Sequence, residues 1–398
     1  MNDEMISCDD TNWKALHGFK GKKEWAAPTL IKFCDTEARP GYTTKRAHEY
    51  QDTKEVLEAK VELLAQLLTE SRNCVIYSGA GLSTASGIGD YATKGGAPGE
   101  VTETLKPHLR SKLLAQPTYA HRLLAKLCRR GIVKKWVQQN HDGLPQKAGV
   151  PQHLINEIHG AWFDVSNPVV KMDGDLRTDL FEDLLAWEET TDLVLSLGTS
   201  MCGMNADRVF TTVAKKAKSG LIEVLGGVII SLQQTQYDDI SAIRIFGKID
   251  DVMSLLSQKL DLGVSVDERD TYSVPKSLDS AKVEDDVFLI PYDQEGRLLP
   301  EEKRKDKSYM TTLDLRTGSA YKVTQGPYKG DKGSIIGKNI QGHYRLVTEH
   351  KFGKKGLTRP WESVLGSWWI EAAVRGAVSI LPIYTIMQLD VREELIFN

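Results

Sequence analysis

The sequence predicts an α/β protein with a doubly wound parallel sheet, followed by a smaller β-rich domain. Apolar runs such as Leu193–Leu197 contain almost no polar residue, which is typical of strands that are covered on both faces of a sheet. Amphipathic segments with helical spacing separate these runs, and strands that alternate with helices favour a parallel sheet. Beyond residue 287 the pattern changes to short, alternating, turn-rich stretches. These observations define the fold class.

In the main domain the strands are predicted at apolar runs. They lie at 74–77, 132–137, 193–197, 228–230 and 243–245. The first helix follows a Thr53 N-cap, because apolar residues recur after it with helical spacing. Other helices are expected before the second strand, after the third strand, and over Ile249–Leu260. Ligands bind sheets of this kind at the carboxyl ends of the strands.

Composition shifts divide the chain into four parts. We predict an N-terminal arm at 1–50, the main domain at 51–262, a polar linker at 263–286 and a basic β-rich domain at 287–398. Residues 297–360 carry fifteen Lys or Arg against six Asp or Glu, a local charge of +9 in a chain whose formal net charge is −3. The positive charge is therefore concentrated in the C-terminal domain.

The composition is that of an ordinary soluble globular protein, with 41% hydrophobic and 26% charged residues in 398. The five cysteines have no paired spacing, which argues against a disulfide framework and for a reducing compartment, nuclear or cytoplasmic. The start Met1–Glu4 lacks a signal-peptide pattern, and no uncharged apolar run reaches membrane-spanning length. We therefore expect no membrane partner.

The first strand ends at the turn Gly79-Ala80-Gly81. Glycines allow a sharp turn and the close approach of a ligand, and a helix that opens after such a turn directs free N–H groups at phosphate oxygens. An ordinary strand–turn–helix corner has the same pattern, so this turn alone does not identify a ligand.

Further motifs follow the glycine turn. In order they are Gly79–Tyr91, Gln138–Leu144, His159-Gly160, Leu197–Ser200, and Ile229–Gln233 with Arg244–Gly247. Their order and spacing over residues 50–262 resemble the sirtuin family, and details are most similar to its class IV branch, which is largely nuclear. The resemblance implies a Rossmann-like domain that binds NAD.

By this resemblance, the cofactor-binding residues lie in the glycine loop and at the ends of later strands. They are Gly79, Ala80, Gly81, Ser83, Gly87, Ile88, Asp90, Tyr91, Gln139, Gly198, Thr199, Ser200 and Ser231. The resemblance further implies that His159 is the general base, that Asn140 positions the nicotinamide ribose and that Asp142 bonds the carboxamide. Imidazole suits a base because its pKa is close to working pH. We interpret His141 as a tolerated replacement and His121 as structural.

Three departures from the family pattern bear on activity. The expected Pro-Asp-Phe-Arg is Gly89-Asp90-Tyr91-Ala92, so the arginine is missing. The family's four-cysteine zinc ribbon is absent, because Gly160–Leu197 contains no cysteine, and no zinc is expected. After Gly174–Arg177 the chain runs directly into the next helix, so the small module that holds acylated peptides is expected to be truncated.

The C-terminal domain contains Tyr321–Ile336, which resembles a KOW-type segment of an SH3-like barrel over fewer than twenty residues. Strands are expected to continue through Trp368–Ile370 and Val378–Leu381. The basic surplus at 297–360 favours a nucleic-acid or ribonucleoprotein partner, with aromatic rings available for stacking. A solvated basic face is the alternative.

The leading hypothesis is an NAD-dependent protein-lysine deacetylase or deacylase that acts on an acylated protein and releases nicotinamide and O-acyl-ADP-ribose. The truncated module leaves open an NAD hydrolase or ADP-ribosyltransferase. The missing arginine and zinc ribbon leave open a catalytically degenerate NAD-sensing module with a nucleic-acid-binding C-terminal domain.

Overall fold

The structure is a computed structural model, which describes residues 15–38, 41–89, 112–171, 174–263, 272, 274–352 and 357–386. In chain order the strands are β1 (Thr29–Lys32), β2 (Glu49–Gln51), β3 (Cys74–Ser78), β4 (Val133–Gln138), β5 (Ile155–Glu157), β6 (Leu193–Leu197), β7 (Gly226–Ile230), β8 (Ile243–Ile245), β9 (Lys282–Glu284), β10 (Val287–Ile290), β11 (Thr311–Asp314), β12 (Ala320–Val323), β13 (Lys332–Lys338), β14 (Tyr344–Phe352), β15 (Leu357–Leu365) and β16 (Ile383–Ile386). The helices are α1 (Lys54–Glu70), α2 (Tyr119–Arg129), α3 (Leu144–Lys147), α4 (Thr178–Thr190), α5 (Arg208–Lys218), α6 (Ile249–Lys259) and α7 (Trp368–Val374).

A six-stranded parallel sheet forms the centre of the main domain, in the order β5-β4-β3-β6-β7-β8. The predicted parallel sheet is therefore confirmed. Ser78 pairs with Gln138 on one side and with Leu197 on the other, so β3, β4 and β6 end at the same level. Loops that follow these strands must emerge together along one edge of the sheet.

Both faces of the sheet are covered, because side chains of successive strand residues point to opposite faces. Cys74 and Ile76 of β3 pack with α1, α2 and α6, whereas Val75 and Tyr77 pack with α4 and α5. All five residues of β3 are buried. This explains the continuous apolar runs of the sequence.

The N-terminal segment extends the main domain at the β8 side. Tyr50 donates its N–H to the carbonyl of Leu232 at 2.9 Å, and Phe19 donates to Ser241 at 2.9 Å. Lys60 of α1 forms an ion pair with Asp52 at 2.7 Å, and both side chains are fully buried. In the described residues the arm is therefore packed on the domain.

The C-terminal part contains two antiparallel sheets, β11-β10-β9 and β15-β14-β13-β12-β16. The prediction of a strand at Trp368–Ile370 is wrong, because these residues begin helix α7. Its residues are buried almost all round, and a short apolar run does not distinguish a buried helix from a strand. The expected strand at Val378–Leu381 is also wrong, since only Ile380 forms a single bridge, to Arg297.

The polar segment predicted to be a linker contains strand β9 and a 3-10 helix over Lys276–Ala281. The domain boundaries and the SH3-like or KOW-like character of the C-terminal part remain predictions. None of the helices in the ranges given above has the length and apolar character needed to cross a membrane.

The C-terminal core reaches into the main domain. Phe163 and Val165, which follow the His159-Gly160 motif, are buried in the same hydrophobic cluster as Trp368 and Ile370. The Phe163 and Trp368 ring centroids are 5.2 Å apart. The backbone N–H of Gly366 donates to the carbonyl of Phe163 at 3.0 Å. A loop of the main domain is thus part of the C-terminal core.

Candidate active site

The ends of β3, β4 and β6 bring three of the sequence motifs together. Gly79 donates its N–H to the carbonyl of Leu197 at 3.0 Å, and Gly81 donates to Gly198 at 2.8 Å. Gln139 donates to the carbonyl of Ser78 at 2.9 Å. The glycine turn is therefore placed between the two motifs that follow the neighbouring strands.

The contact between the glycine turn and Gly198 requires glycine. Gly198 has a φ of +58°, and a Cβ atom on it would lie 2.4 Å from the backbone nitrogen of Leu82. Residues that carry a side chain rarely adopt this φ, and real Cβ atoms do not come this close to another heavy atom.

In place of the predicted helix, two 3-10 turns follow the glycine turn, at Ala80–Leu82 and Thr84–Ser86. Gly87, with a φ of +78°, ends the second turn, and Ile88 follows it, partly buried.

Polar side chains form a connected network at this edge. The Ser83 hydroxyl donates to Asp142 Oδ2 at 2.7 Å and accepts from Asn140 Nδ2 at 3.0 Å. The same Asn140 amide donates to the carbonyl of Gly79 at 3.0 Å. Gln139 Nε2 donates to Thr199 Oγ1 at 3.0 Å. Residues of three separate motifs are thus hydrogen-bonded to each other.

Asp142 is the buried acid of this network, with 1% of its surface exposed. Burial raises the pKa of its carboxyl group, while the Ser83 hydroxyl and the backbone N–H of Leu144 favour the charged form. The Leu144 N–H reaches Asp142 Oδ1 at 3.0 Å. Both carboxylate oxygens therefore accept a hydrogen bond.

His159 lies at the same edge, two residues past the end of β5. Glu157 pairs with Gln138 of β4, so His159 and Asn140 are at equivalent distances past the ends of adjacent strands. Adjacent strands are about 4.8 Å apart. The ring of His141 donates from Nδ1 to the carbonyl of Gly160 at 2.9 Å. His141 therefore links the two loops, a structural role that the sequence did not reveal.

The chain turns back on His159 at once. Ala161 donates to the carbonyl of Asn167 at 2.8 Å, and Val170 donates to that of His159 at 2.9 Å. Gly160 has a φ of +93°, and a Cβ atom on it would meet the Pro168 carbonyl oxygen at 2.3 Å. A compact return over residues 161–170 follows the His159-Gly160 motif. Over the residues that the structure describes, no group of three His, Cys, Asp or Glu side chains is placed to hold a metal ion.

The remaining cofactor candidates lie at the same edge or outside the described residues. Ser200 is partly exposed just past β6, and Ser231 is partly buried just past β7. The Ser231 carbonyl accepts from Arg244 Nη1 at 3.0 Å, so the fully buried Arg244 supports this strand end. Asp90 and Tyr91 lie outside the described residues.

Two side chains near the site were missed as functional candidates. Lys147 ends α3, five positions after Asp142, and the sequence offered no sign of its contacts with the C-terminal domain. Glu157 is buried, and burial raises its pKa to about 8, with nearby Asp164 adding to the effect. His121, interpreted as structural, accepts the Thr118 N–H at Nδ1 and completes a capping box at the start of α2.

No family model matches the chain. The chain is 29% identical over 269 residues to NAD-dependent protein deacetylase sirtuin-7 of Mus musculus, covering 56% of this chain and 65% of that protein. It is 27% identical over 261 residues to NAD-dependent protein deacetylase SRT1 of Arabidopsis thaliana, covering 54% and 52%. The chain therefore spans about two thirds or less of the length of these relatives.

Among solved structures, the chain is similar to one described as "Sir2-p53 peptide-NAD+". The TM-score is 0.42 and the identity 22%, over 50% of this chain and 98% of the other. Over about half of its length, the chain is thus similar to NAD-dependent protein deacetylases of the sirtuin type.

Proposed function

We propose that this protein is an NAD-dependent protein-lysine deacetylase or deacylase that releases nicotinamide and O-acyl-ADP-ribose. The observation that carries the proposal is the hydrogen-bonded Ser83–Asn140–Asp142 network at the end of the sheet where His159 also lies. The curated relatives are named NAD-dependent protein deacetylases, and the structural neighbours are described with peptides and NAD+.

The donor groups at this edge fit a dinucleotide. Hydroxyl, amide and backbone N–H groups gather at the carboxyl ends of the strands, where parallel sheets bind nucleotides. Residues 79–88 with Thr199 and Ser200 would hold the diphosphate, and Ser231 lies past β7 on the adenosine side. NAD, when bound, supplies the bond between nicotinamide and ribose that the reaction breaks.

The side chains of the site have separate roles in this proposal. Asn140 orients the nicotinamide ribose, since its amide is fixed by Gly79 and Ser83. Asp142 accepts a hydrogen bond from the carboxamide, which places the leaving group in the buried end of the site. His159 takes a proton from a ribose hydroxyl, as an imidazole can near neutral pH. The burial around Asp142 excludes water from the reacting groups.

The test is nicotinamide release from NAD, measured with and without an acetylated lysine peptide. We expect release that depends on the peptide and falls by about 100-fold or more in His159→Ala, while calorimetry shows unchanged NAD affinity. His153→Ala is the matched control, because His153 is exposed on a neighbouring turn. A wild-type protein that takes up no NAD at millimolar concentration contradicts the proposal.

A second enzymatic proposal keeps NAD cleavage but transfers the ADP-ribosyl group to water or a protein side chain. The short return over residues 161–170 favours it, since little chain is left to hold a peptide. Release of nicotinamide without peptide is the distinguishing result. NAD binding without release would instead support an NAD-sensing module, which the missing arginine after Tyr91 favours.

We propose that the C-terminal domain binds nucleic acid or a ribonucleoprotein through residues 297–360. Arg359 and the half-exposed Trp361 lie two residues apart on β15, on one face, as a phosphate contact and a stacking ring require. Several other cations are already paired, among them Arg345 with Glu362 at 2.8 Å.

The full chain should therefore bind a single-stranded RNA with an affinity that falls steeply with salt. Arg359→Glu should weaken binding about tenfold at low salt. Lys215→Glu, on an exposed position of α5, is the charge-matched control. RNA binding that does not depend on salt, or equal RNA affinity of wild type and Arg359→Glu, would argue that the basic residues form a solvated face without a nucleic-acid partner.

A further inference from the structure

The loop that follows β6 is fixed by hydrogen bonds to one buried carboxylate. Asp207, the residue before helix α5, has 3% of its surface exposed. Its Oδ2 accepts the backbone N–H groups of Gly203 at 2.8 Å and Met204 at 2.9 Å. Both donors are backbone groups, which any residue except proline supplies at these positions. Its Oδ1 accepts the hydroxyl of Tyr77 in β3 at 2.6 Å. Asp207 therefore ties the loop 199–204 to the parallel sheet.

The backbone of this loop is strained at Met201. Its φ is +46°, a left-handed conformation that residues other than glycine rarely adopt. The side chain of Met201 is buried, and its carbonyl accepts a hydrogen bond from Gln236 Nε2 at 2.8 Å. Strain of this kind persists only where surrounding contacts hold the backbone in place. The hydrogen bonds from Gln236 and to Asp207 are such contacts.

The loop reaches the candidate site through Thr199. The backbone N–H of Met201 donates to Thr199 Oγ1 at 3.2 Å, and the same oxygen accepts from Gln139 Nε2 at 3.0 Å. Thr199 also lies against the glycine turn, since a Cβ atom on Gly79 would be 2.8 Å from Thr199 Cβ. A change of backbone conformation at Met201 therefore moves Thr199 relative to both Gln139 and the glycine turn.

We propose that Asp207 is a positioning residue for NAD, which holds the strained loop 199–204 so that Thr199 and Ser200 face the diphosphate. The inference rests on the proposed function only for the placement of the diphosphate beside these two residues. Asp207 does not contact the cofactor and acts through the loop backbone. Without its carboxylate, the loop relaxes from the left-handed conformation at Met201, and NAD affinity falls.

The test compares Asp207→Ala, Asp207→Asn and Tyr77→Phe in thermal unfolding and in calorimetry with NAD. Asp207→Ala removes the acceptor of two loop N–H groups and should raise the Kd for NAD about tenfold. Asp207→Asn keeps an oxygen for those groups and should stay within about twofold of wild type. Tyr77→Phe should lower Tm but leave the Kd unchanged, because helix α5 still places Asp207 beside the loop. A lower Tm in Asp207→Ala and Tyr77→Phe, with the NAD affinity of wild type in both, overturns the proposal.

Gln236→Ala tests the same loop at an exposed residue, where the fold tolerates substitution. It removes the hydrogen bond to the Met201 carbonyl and should raise the Kd for NAD about threefold. Gln258→Ala, at an exposed position of α6, is the matched control and should bind NAD as wild type does. If Asp207→Ala does not fold, equal NAD affinity in Gln236→Ala and wild type overturns the proposal.

Hydrogen exchange measures the loop without any ligand. The amides of residues 201–204 should exchange about tenfold faster in Asp207→Ala than in wild type or Tyr77→Phe. Equal exchange in all three proteins overturns the positioning role. A wild type that binds NAD but releases no nicotinamide rejects the proposed function alone, because the NAD affinities of the variants still decide the role of Asp207. A wild type that takes up no NAD overturns both.

Discussion

Two buried carboxyl groups at the site, Asp142 and Glu157, differ in what surrounds them. Asp142 accepts hydrogen bonds from Ser83 and from the Leu144 backbone, which favour its charged form. Glu157 is buried near the carboxyl group of Asp164, and its pKa is raised to about 8. At pH 7 Glu157 is therefore protonated and carries no charge beside His159.

Glu157→Gln should change how stability depends on pH. Between the unfolded pKa near 4.5 and the folded value of about 8, the folded state binds more protons than the unfolded state, so wild-type stability falls as pH rises. The variant lacks this proton and should lose that slope, gaining roughly 2 to 4 kcal/mol relative to wild type by pH 9. Urea unfolding at pH 5, 7 and 9 measures the difference.

Glu62→Gln serves as the control for that series, because Glu62 is half-exposed on α1. It should leave the pH slope of wild type in place. An unchanged slope in Glu157→Gln would show that Glu157 is ionised in the folded protein.

The sequence predicted those candidate-site residues that directly follow a strand. In a parallel sheet the strands end along one edge, so residues that follow different strands lie close together. Asn140, Asp142 and Ser83 are examples. The sequence did not indicate the hydrogen bond from the Lys147 ammonium to Gln341 Oε1, because the two residues are 194 positions apart. Their contact depends on how the C-terminal domain docks, and no local pattern encodes that.

At the scale of elements, the junction between β6 and the glycine turn depends on Gly198. Gly198→Ala should destabilise the fold by about 3 kcal/mol, since it adds a strained φ and a clash with Leu82. NAD affinity should fall at least tenfold because the glycine turn must move. Thermal unfolding and calorimetry measure both effects.

Gly203→Ala is the matched control, because Gly203 has a φ of +85° with nothing within 4 Å of its added Cβ atom. It tests the strain without the clash and should cost about 1 kcal/mol with NAD affinity retained. Similar losses in both variants would argue against a role for the contact.

Sequence patterns predicted some elements of this fold and not others. The parallel sheet was predictable because strands such as β3 are buried on both faces and therefore consist of apolar residues. Helix α7 was not predictable, because an apolar run such as Trp368-Trp369-Ile370 fits a buried helix and a buried strand equally well. The 3-10 turns after Gly79 were missed because a glycine turn does not specify the helix type that follows.

Across the whole molecule, the main and C-terminal domains share a hydrophobic core through Phe163, which is 1% exposed. Phe163→Ala should lower the free energy of unfolding by about 3 to 5 kcal/mol. Because the ring joins both domains, circular dichroism and tryptophan fluorescence should still report one coincident urea transition in wild type. Phe33→Ala, at a ring that is 61% exposed, should change stability by less than about 0.5 kcal/mol.

Separate transitions for the two domains in wild type, or equal losses in the Phe33 and Phe163 variants, would show that the shared core does not couple the domains.

The Lys147–Gln341 contact also has a consequence for biosynthesis. A ribosome delivers Lys147 nearly two hundred residues before its partner, so the nascent chain can form the parallel sheet while Lys147 lacks its Gln341 acceptor and Phe163 lacks its cover. Domains tend to fold in the order in which they are made. Translation must therefore pass residue 368 before the site acquires its final shape.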